Sequence, residues 1–183
     1  MKTAPSKIVA IEAENKQVRH GFGRRLWNKI EPLQDELDIQ VHGNQNAWRT
    51  GALTVESLRF HFGQRSVSSD PVVVLLDDFS GHWIKETTVY ARSLNVVLVK
   101  VPPGLTRLCQ PVDAVWIKSI NDRLRRHWLL HLQDQIADRR IRSRAAAFET
   151  KAPDQSKVAR WASDAWKDIL ASMIMIGFAH CKL

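Results

Sequence analysis

The run Pro71-Val-Val-Val-Leu-Leu-Asp77 constrains this chain more than any other stretch. A continuous β-branched apolar segment between turn-forming residues suits a strand covered on both faces, as in a parallel sheet packed between helices. A second such run, Asn95-Val-Val-Leu-Val-Lys-Val101, follows a stretch of helical character from about Ile84 to Leu94. Strand, helix and strand with short links make a βαβ unit, which favours parallel pairing and a right-handed crossover. The fold class expected is therefore α/β.

The rest of the chain is read against that unit. Lys7-Ile-Val-Ala-Ile11 has the character of a short strand, His20-Gly-Phe-Gly23 that of a loop, and Leu26, Ile30 and Leu33 mark one or two helical turns. Asp38-Ile-Gln-Val-His42 alternates as a strand does, before a turn at Gly43-Asn44. Thr54 as N-cap, Val55, Leu58 and Phe62 at helical spacing, and Gly63 as a stop predict a helix over 54–62. Pro102-Pro-Gly104 ends the second strand, and Pro111 suits the first turn of a long helix. Along that helix Val112, Trp116, Ile120, Leu124, Trp128, Leu132 and Ile136 recur every four residues as one apolar stripe. Thr150-Lys-Ala-Pro-Asp154 reads as a linker. A last amphipathic helix then carries Val158, Trp161, Ala165, Ile169 and Met173 to about Ile176.

At 183 residues the chain fits one domain, 1–183, with the sheet core and long basic helix over about 7–149 and a helical C-terminal extension over 150–183. Its net charge is +8, and residues 114–151 hold nine Lys or Arg against four Asp or Glu, so most of the excess lies on the long helix. That points to a polyanionic partner, DNA first, met largely without regard to sequence. The competing explanation is a basic surface that serves solubility. Lys118, Arg125, Arg126, Arg139, Arg140, Arg142 and Arg144 are the candidate phosphate contacts. Trp116, Trp128, Trp161 and Trp166 could stack on bases, but helical spacing favours a core role. Cys109 and Cys181 stand far apart, which argues against a disulfide framework or zinc site and for a reducing compartment. No apolar run reaches 18 residues, so no membrane partner is expected, and no apolar signal segment follows the polar start. No small-molecule cofactor is expected either.

Chemistry concentrates at two acids. Asp77 ends a strand and Asp113 opens a helix just after the next one, so both can face a single crevice at the strands' C-terminal edge. Two carboxylates there suit Mg²⁺ or Mn²⁺, and such a site can support two-metal phosphoryl transfer. A plainer account uses the same spacing: Asp77 begins a turn, and Asp113 is favoured by the helix dipole.

Longer motifs separate these accounts. Val74-Leu-Leu-Asp77-Asp-Phe-Ser-Gly-His82-Trp resembles the second-acid motif of the pogo, Tigger and jerky-like DDE superfamily, which includes centromere protein B. Val101-Pro-Pro-Gly-Leu-Thr-Arg-Leu-Cys-Gln110-Pro111-Val-Asp113 resembles its third-acid motif, and the two acids stand 36 positions apart. Asn46-Ala-Trp48, Trp161, Trp166 and Ile176-Gly-Phe178 are similar to the family pattern too, so the resemblance covers about 7–183. It implies an RNase H-like fold, a mixed central sheet flanked by helices. By the same resemblance Asp77 and Asp113 are the second and third catalytic, metal-binding acids. His82 matches the histidine after the second acid, Gln110 and Pro111 match positions that shape the third-acid loop, and Asp78 stands where many relatives have Asn. The implied cofactor is Mg²⁺ or Mn²⁺ if the domain is active and none otherwise. The implied location is the nucleus.

The pattern departs from the family upstream. The first acid sits on the first strand, well before Asn-Ala-Trp, and too little chain precedes Asn46 for that strand and its two partners. Glu12, Glu14, Asp35 and Asp38 are the acids available, with Glu12 the nearest substitute. The expectation is a domain incomplete at its N-terminus, without the helix-turn-helix usual for transposon ends, that binds nucleic acid with lost or vestigial strand cleavage. Two alternatives stand beside it: an active metal-dependent endonuclease, and a domesticated protein-interaction module that forms homodimers through an uncovered sheet edge.

Overall fold

A computed structural model describes the backbone over residues 18–43, 50–142 and 149–183, and side chains over the same residues except 139–142. The expected strand at Lys7–Ile11, Glu12, Glu14, Asn46-Ala-Trp48 and Arg144 lie outside the described residues. In chain order the elements are α1 (Arg24–Leu37), α2 (Gly51–Phe62), β1 (Val72–Leu76), a 3₁₀ turn (Ser80–His82), α3 (Lys85–Ser93) and β2 (Val96–Lys100). A short α4 (Thr106–Cys109), a π turn (Val112–Trp116), α5 (Ile117–Arg142), α6 (Gln155–Lys167) and α7 (Ala171–His180) complete them. The chain divides into two compact units, Met1–Ala47 with Arg123–Lys167, and Trp48–Asp122 with Asp168–Leu183.

In the first unit, α1 buries Trp27, Ile30, Leu33 and Leu37, a stripe at helical spacing, and packs on α6. It is longer than the one or two turns expected, because Trp27 and Leu37 extend the stripe in both directions. The strand expected at 38–42 does not form. Asp38 caps α1 in the left-handed region (φ 54°), and side chains take up the backbone that follows. Val41 N–H donates to Gln34 Oε1 at 3.0 Å, and the Val41 carbonyl faces His20 Nδ1 at 3.2 Å. Polar groups met locally have no need of a sheet partner. Gly21 (φ 86°) lets the chain close against Gly43, whose carbonyl oxygen would stand 2.2 Å from any added Cβ. Trp161 on α6 stacks on His127 of α5 (centroids 5.7 Å, 13°), and Arg160 pairs with Glu36 of α1.

In the second unit, β1 and β2 pair in parallel with Val72 opposite Val96 and Leu76 opposite Lys100. The βαβ reading of the sequence matches this pairing. Leu58 of α2, Ala91 and Leu94 of and beside α3, and Val96 form the core, joined by Phe62, Val74, Tyr90 and Leu98. Helices cover the face bearing Val74 and Leu98. Among the described residues no element covers the other face, where Val73, Val97 and Val99 are exposed at 61%, 46% and 40%. The expectation of strands buried on both faces therefore fails for these residues.

Three boundaries also differ from expectation. Thr50 caps α2 by accepting from Leu53 N–H at 3.3 Å, so Thr54 lies inside the helix and is buried. The helix expected from Pro111 onward does begin there, but its first turn is π-wound over Val112–Trp116 before α5. Its stripe also ends unevenly, since Trp128 and Ile136 are exposed. The single last helix is two, α6 and α7, separated where Leu170 turns extended (ψ 146°). Against the π turn, Gly177 of α7 packs close to the Nε1 end of the Trp116 indole, and Phe178 meets Trp116 edge-on at 5.6 Å.

Candidate functional site

The second unit places Asp77 one residue beyond β1 and leads from β2 through α4 to Asp113. Both therefore follow the C-terminal ends of adjacent parallel strands, where open α/β sheets gather their ligands. Asp77 is half-buried. Its Oδ1 accepts the Phe79 N–H at 3.0 Å and faces His82 Nε2 at 3.3 Å. Its carbonyl accepts from Trp83 Nε1–H at 2.8 Å, which fixes the turn that carries the carboxylate. The 3₁₀ turn brings His82 back towards Asp77, and Phe79 meets its ring edge-on at 5.4 Å. His82 is buried, and its Nδ1 lies 3.0 Å from the hydroxyl of Thr54 on α2. Sequence reasoning passed over Thr54 as a partner, because a helix cap and a buried interior threonine carry the same local signal.

Asp78 points elsewhere: its carboxylate pairs with Lys100 at the end of β2, and that ammonium also lies over the Trp83 ring at 5.3 Å. Asp113 is exposed in the π turn, a bulge that occurs often at functional sites. Gln110 precedes it with its Oε1 buried and lacking a hydrogen-bond partner. The structure thus brings Asp77 and His82 together, and sets Asp78 with Lys100. Among the described residues it gives Asp113 no hydrogen-bond or ion-pair partner, and no three His, Cys, Asp or Glu converge as a metal cluster. The donors at the strand ends are carboxylate oxygens, the chemistry that hard divalent cations prefer.

Of the basic candidates, Lys118, Arg125 and Arg126 are exposed on α5. Arg139, Arg140 and Arg142 lie on the last turns of the same helix, and Arg144 falls outside the described residues. Cys109 ends α4, and Cys181 is buried just after α7. Burial, and then the neighbouring Cys109 thiol, push the Cys181 thiol up from its ordinary value. Such a thiol stays protonated and inert near neutral pH. No helix among the described residues is long and apolar enough to cross a membrane.

Comparison with known proteins agrees with the family resemblance. The family profile of the DDE superfamily endonuclease matches residues 8–178. "Pogo transposable element with KRAB domain" from Homo sapiens is 26% identical over 159 residues, which is 84% of this chain and 25% of that protein. Its Mus musculus counterpart is 23% identical over the same length and shares. The chain thus spans about a quarter of the length of the curated relatives it matches. No solved structure matches. With the family profile covering nearly all of its length, the chain belongs to the DDE superfamily endonuclease family, as a transposase-derived domain of the pogo type.

Proposed function

We propose that this DDE domain binds DNA through the basic face of α5, holds a divalent cation at Asp77 and Asp113, and retains little or no strand-cleaving activity of its own. The observation that carries the metal reading is the Asp77 carboxylate, set at the C-terminal end of a parallel strand with Oδ1 held by the Phe79 amide and His82. Both of those contacts fall on Oδ1, which leaves Oδ2 to a cation. Asp113 supplies the second carboxylate from the π turn, and Gln110 shapes the loop that leads to it. Lys100 ties up Asp78, so Asp77 is the ligand of the adjacent pair. Mg²⁺ or Mn²⁺, when bound, supplies neutralisation of phosphoryl charge and activation of the attacking oxygen. Among the described residues no third acid converges on Asp77 and Asp113, and two carboxylates hold that ion less tightly and less accurately than three, in a chemistry that falls steeply with small misplacements. In this reading residues 1–183 form one RNase H-like domain, to which β1 and β2 contribute their parallel pair. The protein works in the nucleus. Lys118, Arg125, Arg126, Arg139, Arg140, Arg142 and Arg144 meet phosphates without reading sequence.

The test is a titration of Mn²⁺ into the protein with a labelled DNA duplex, scoring binding and nicking together. The expected result is salt-sensitive binding with at most trace nicking, and Mn²⁺ affinity lost in Asp77→Ala and Asp113→Ala. Efficient nicking abolished by both substitutions would overturn the inactive reading and identify a living nuclease. Dimerisation without DNA affinity would overturn the DNA reading in favour of an interaction module.

A further inference from the structure

We propose that Thr54 is a positioning residue which, through His82, fixes the carboxylate of Asp77. The proposal rests on Asp77 as a metal ligand, but the contacts that carry it are independent of any metal. Thr54 is 1% exposed and His82 7%, so neither side chain has bulk water to satisfy it. The hydroxyl of Thr54 lies 3.0 Å from His82 Nδ1 and 3.1 Å from the Thr50 carbonyl, and His82 Nε2 lies 3.3 Å from Asp77 Oδ1.

The protons in this chain are constrained by chemistry. An ionised carboxylate only accepts, so Nε2 must carry a hydrogen to meet it favourably. In the neutral ring Nδ1 is then an acceptor, and the Thr54 hydroxyl donates to it. In the doubly protonated ring Nδ1–H donates to Thr54, whose hydroxyl turns to the Thr50 carbonyl. Either way, the bond to the threonine oxygen holds the ring in the orientation that points Nε2 at Asp77, and the carboxylate favours the hydrogen there. Without it, Nδ1 loses that bond, and the ring turns more freely about its Cβ–Cγ axis and away from Asp77. Asp77 Oδ1 then loses its charge-assisted neighbour and keeps only the Phe79 amide. Groups behind a metal ligand act in this way, by fixing its orientation before the ion arrives.

α2 is thereby given a specific part in the site. Its N-terminal turn carries Gly51 against the 3₁₀ loop, where an added Cβ would meet Ile84 at 2.4 Å and the Gly81 carbonyl at 3.3 Å. That close approach brings Thr54, one turn along, within reach of His82. The hydroxyl is needed; the methyl serves only packing.

The experiment compares Thr54→Val, which keeps the shape and loses the hydroxyl, with Thr54→Ser, which keeps the hydroxyl. The first readout is the ring ¹⁵N shifts of His82 in the metal-free protein, assigned by their loss in His82→Gln. Wild type and Thr54→Ser are expected to show one ring form with Nε2 protonated, and Thr54→Val a mixture. The second is Mn²⁺ affinity, read from the free-ion signal in electron paramagnetic resonance. Thr54→Val is expected to weaken it about tenfold or more, with Thr54→Ser near wild type. A single Nε2-protonated form in Thr54→Val, or Mn²⁺ affinity unchanged, overturns the proposal. If Thr54→Val does not fold, Thr54→Ala is measured in the wild-type and His82→Gln backgrounds; equal losses of Mn²⁺ affinity in both would show that Thr54 does not act through His82. If wild type binds no Mn²⁺, the metal reading fails on its own, and the ring shifts alone decide whether Thr54 sets His82.

Discussion

At the scale of single residues, the contacts that matter here are short and directional, and they decide what a substitution does. Gly177 is the plainest case. An added Cβ would stand 2.3 Å from Trp116 Nε1 and 3.0 Å from Cε2, against a rigid indole. Alanine gains up to about 1 kcal/mol over glycine inside a helix. Overpacking a closed contact costs about 1–3 kcal/mol. Gly177→Ala is therefore expected to destabilise by about 1–2 kcal/mol despite better propensity, as read by chemical denaturation. A stabilised variant would mean that the π turn yields easily. Cys181 gives a prediction in pH. Its folded-state value is raised by burial and by Cys109, so the native chain keeps a proton that the unfolded chain gives up. The stability is fully present below the unfolded value, near 9.0, and is lost as pH rises through the folded one. Cys181→Ala is expected to flatten the fall in stability as pH rises above about 9.0; an unchanged slope would place its cause elsewhere. Asp77, Asp113 and His82 could be picked out in sequence because ordered motifs surround them. Thr54 could not, since its partner lies 28 positions away and nothing local announces it.

At the scale of elements, β1, α3 and β2 were legible because each is short, apolar in the manner of its type, and bounded by residues that stop it. The break at Leu170 was not. α6 and α7 share a phase that one continuous helix would also satisfy, so periodicity cannot reveal a single extended residue between them. The π turn escaped for a related reason: apolar residues four apart, such as Val112, Trp116 and Ile120, suit a π turn as well as an α turn. Nor does an apolar strand reveal that one of its faces is open. That difference between faces is measurable. Val96 is buried, 3% exposed, in the core with Leu58 and Ala91, whereas Val73 faces outward. A hydroxyl replacing a methyl in the core is left without a partner, at a cost of about 1–3 kcal/mol. Val96→Thr is thus expected to lower stability by that amount, and Val73→Thr by less than about 0.5 kcal/mol. Equal losses would mean that the open face is covered in solution, and sedimentation at two concentrations would show whether a second copy covers it.

At the scale of the whole molecule, the sequence indicated a basic chain with two acids at strand ends, and the structure assigns these to different kinds of surface. The acids sit where Phe79, His82 and the π turn hold them, a matter of angles and tenths of ångströms. Half of the excess of positive charge, seven Lys or Arg against three Asp, lies along α5, on side chains such as Lys118 and Arg126 that stand in solvent. Binding by such a surface releases counterions, so it falls with salt as a power law, with a slope of about −0.9 for each phosphate neutralised on duplex DNA. If all seven basic candidates engage phosphates, the slope of log K against log salt approaches about −6. Each Lys→Gln or Arg→Gln substitution among them is expected to reduce it by about one, with no change of preference between duplex sequences. On the proposed reading Asp77→Ala should leave the slope alone, because there that carboxylate meets a metal and not a phosphate. A slope near zero would remove DNA from the account of α5 whatever the metal site does. A slope that changes with Asp77 but not with Arg126 would move the DNA to the strand ends, where binding and cleavage would have to share one surface.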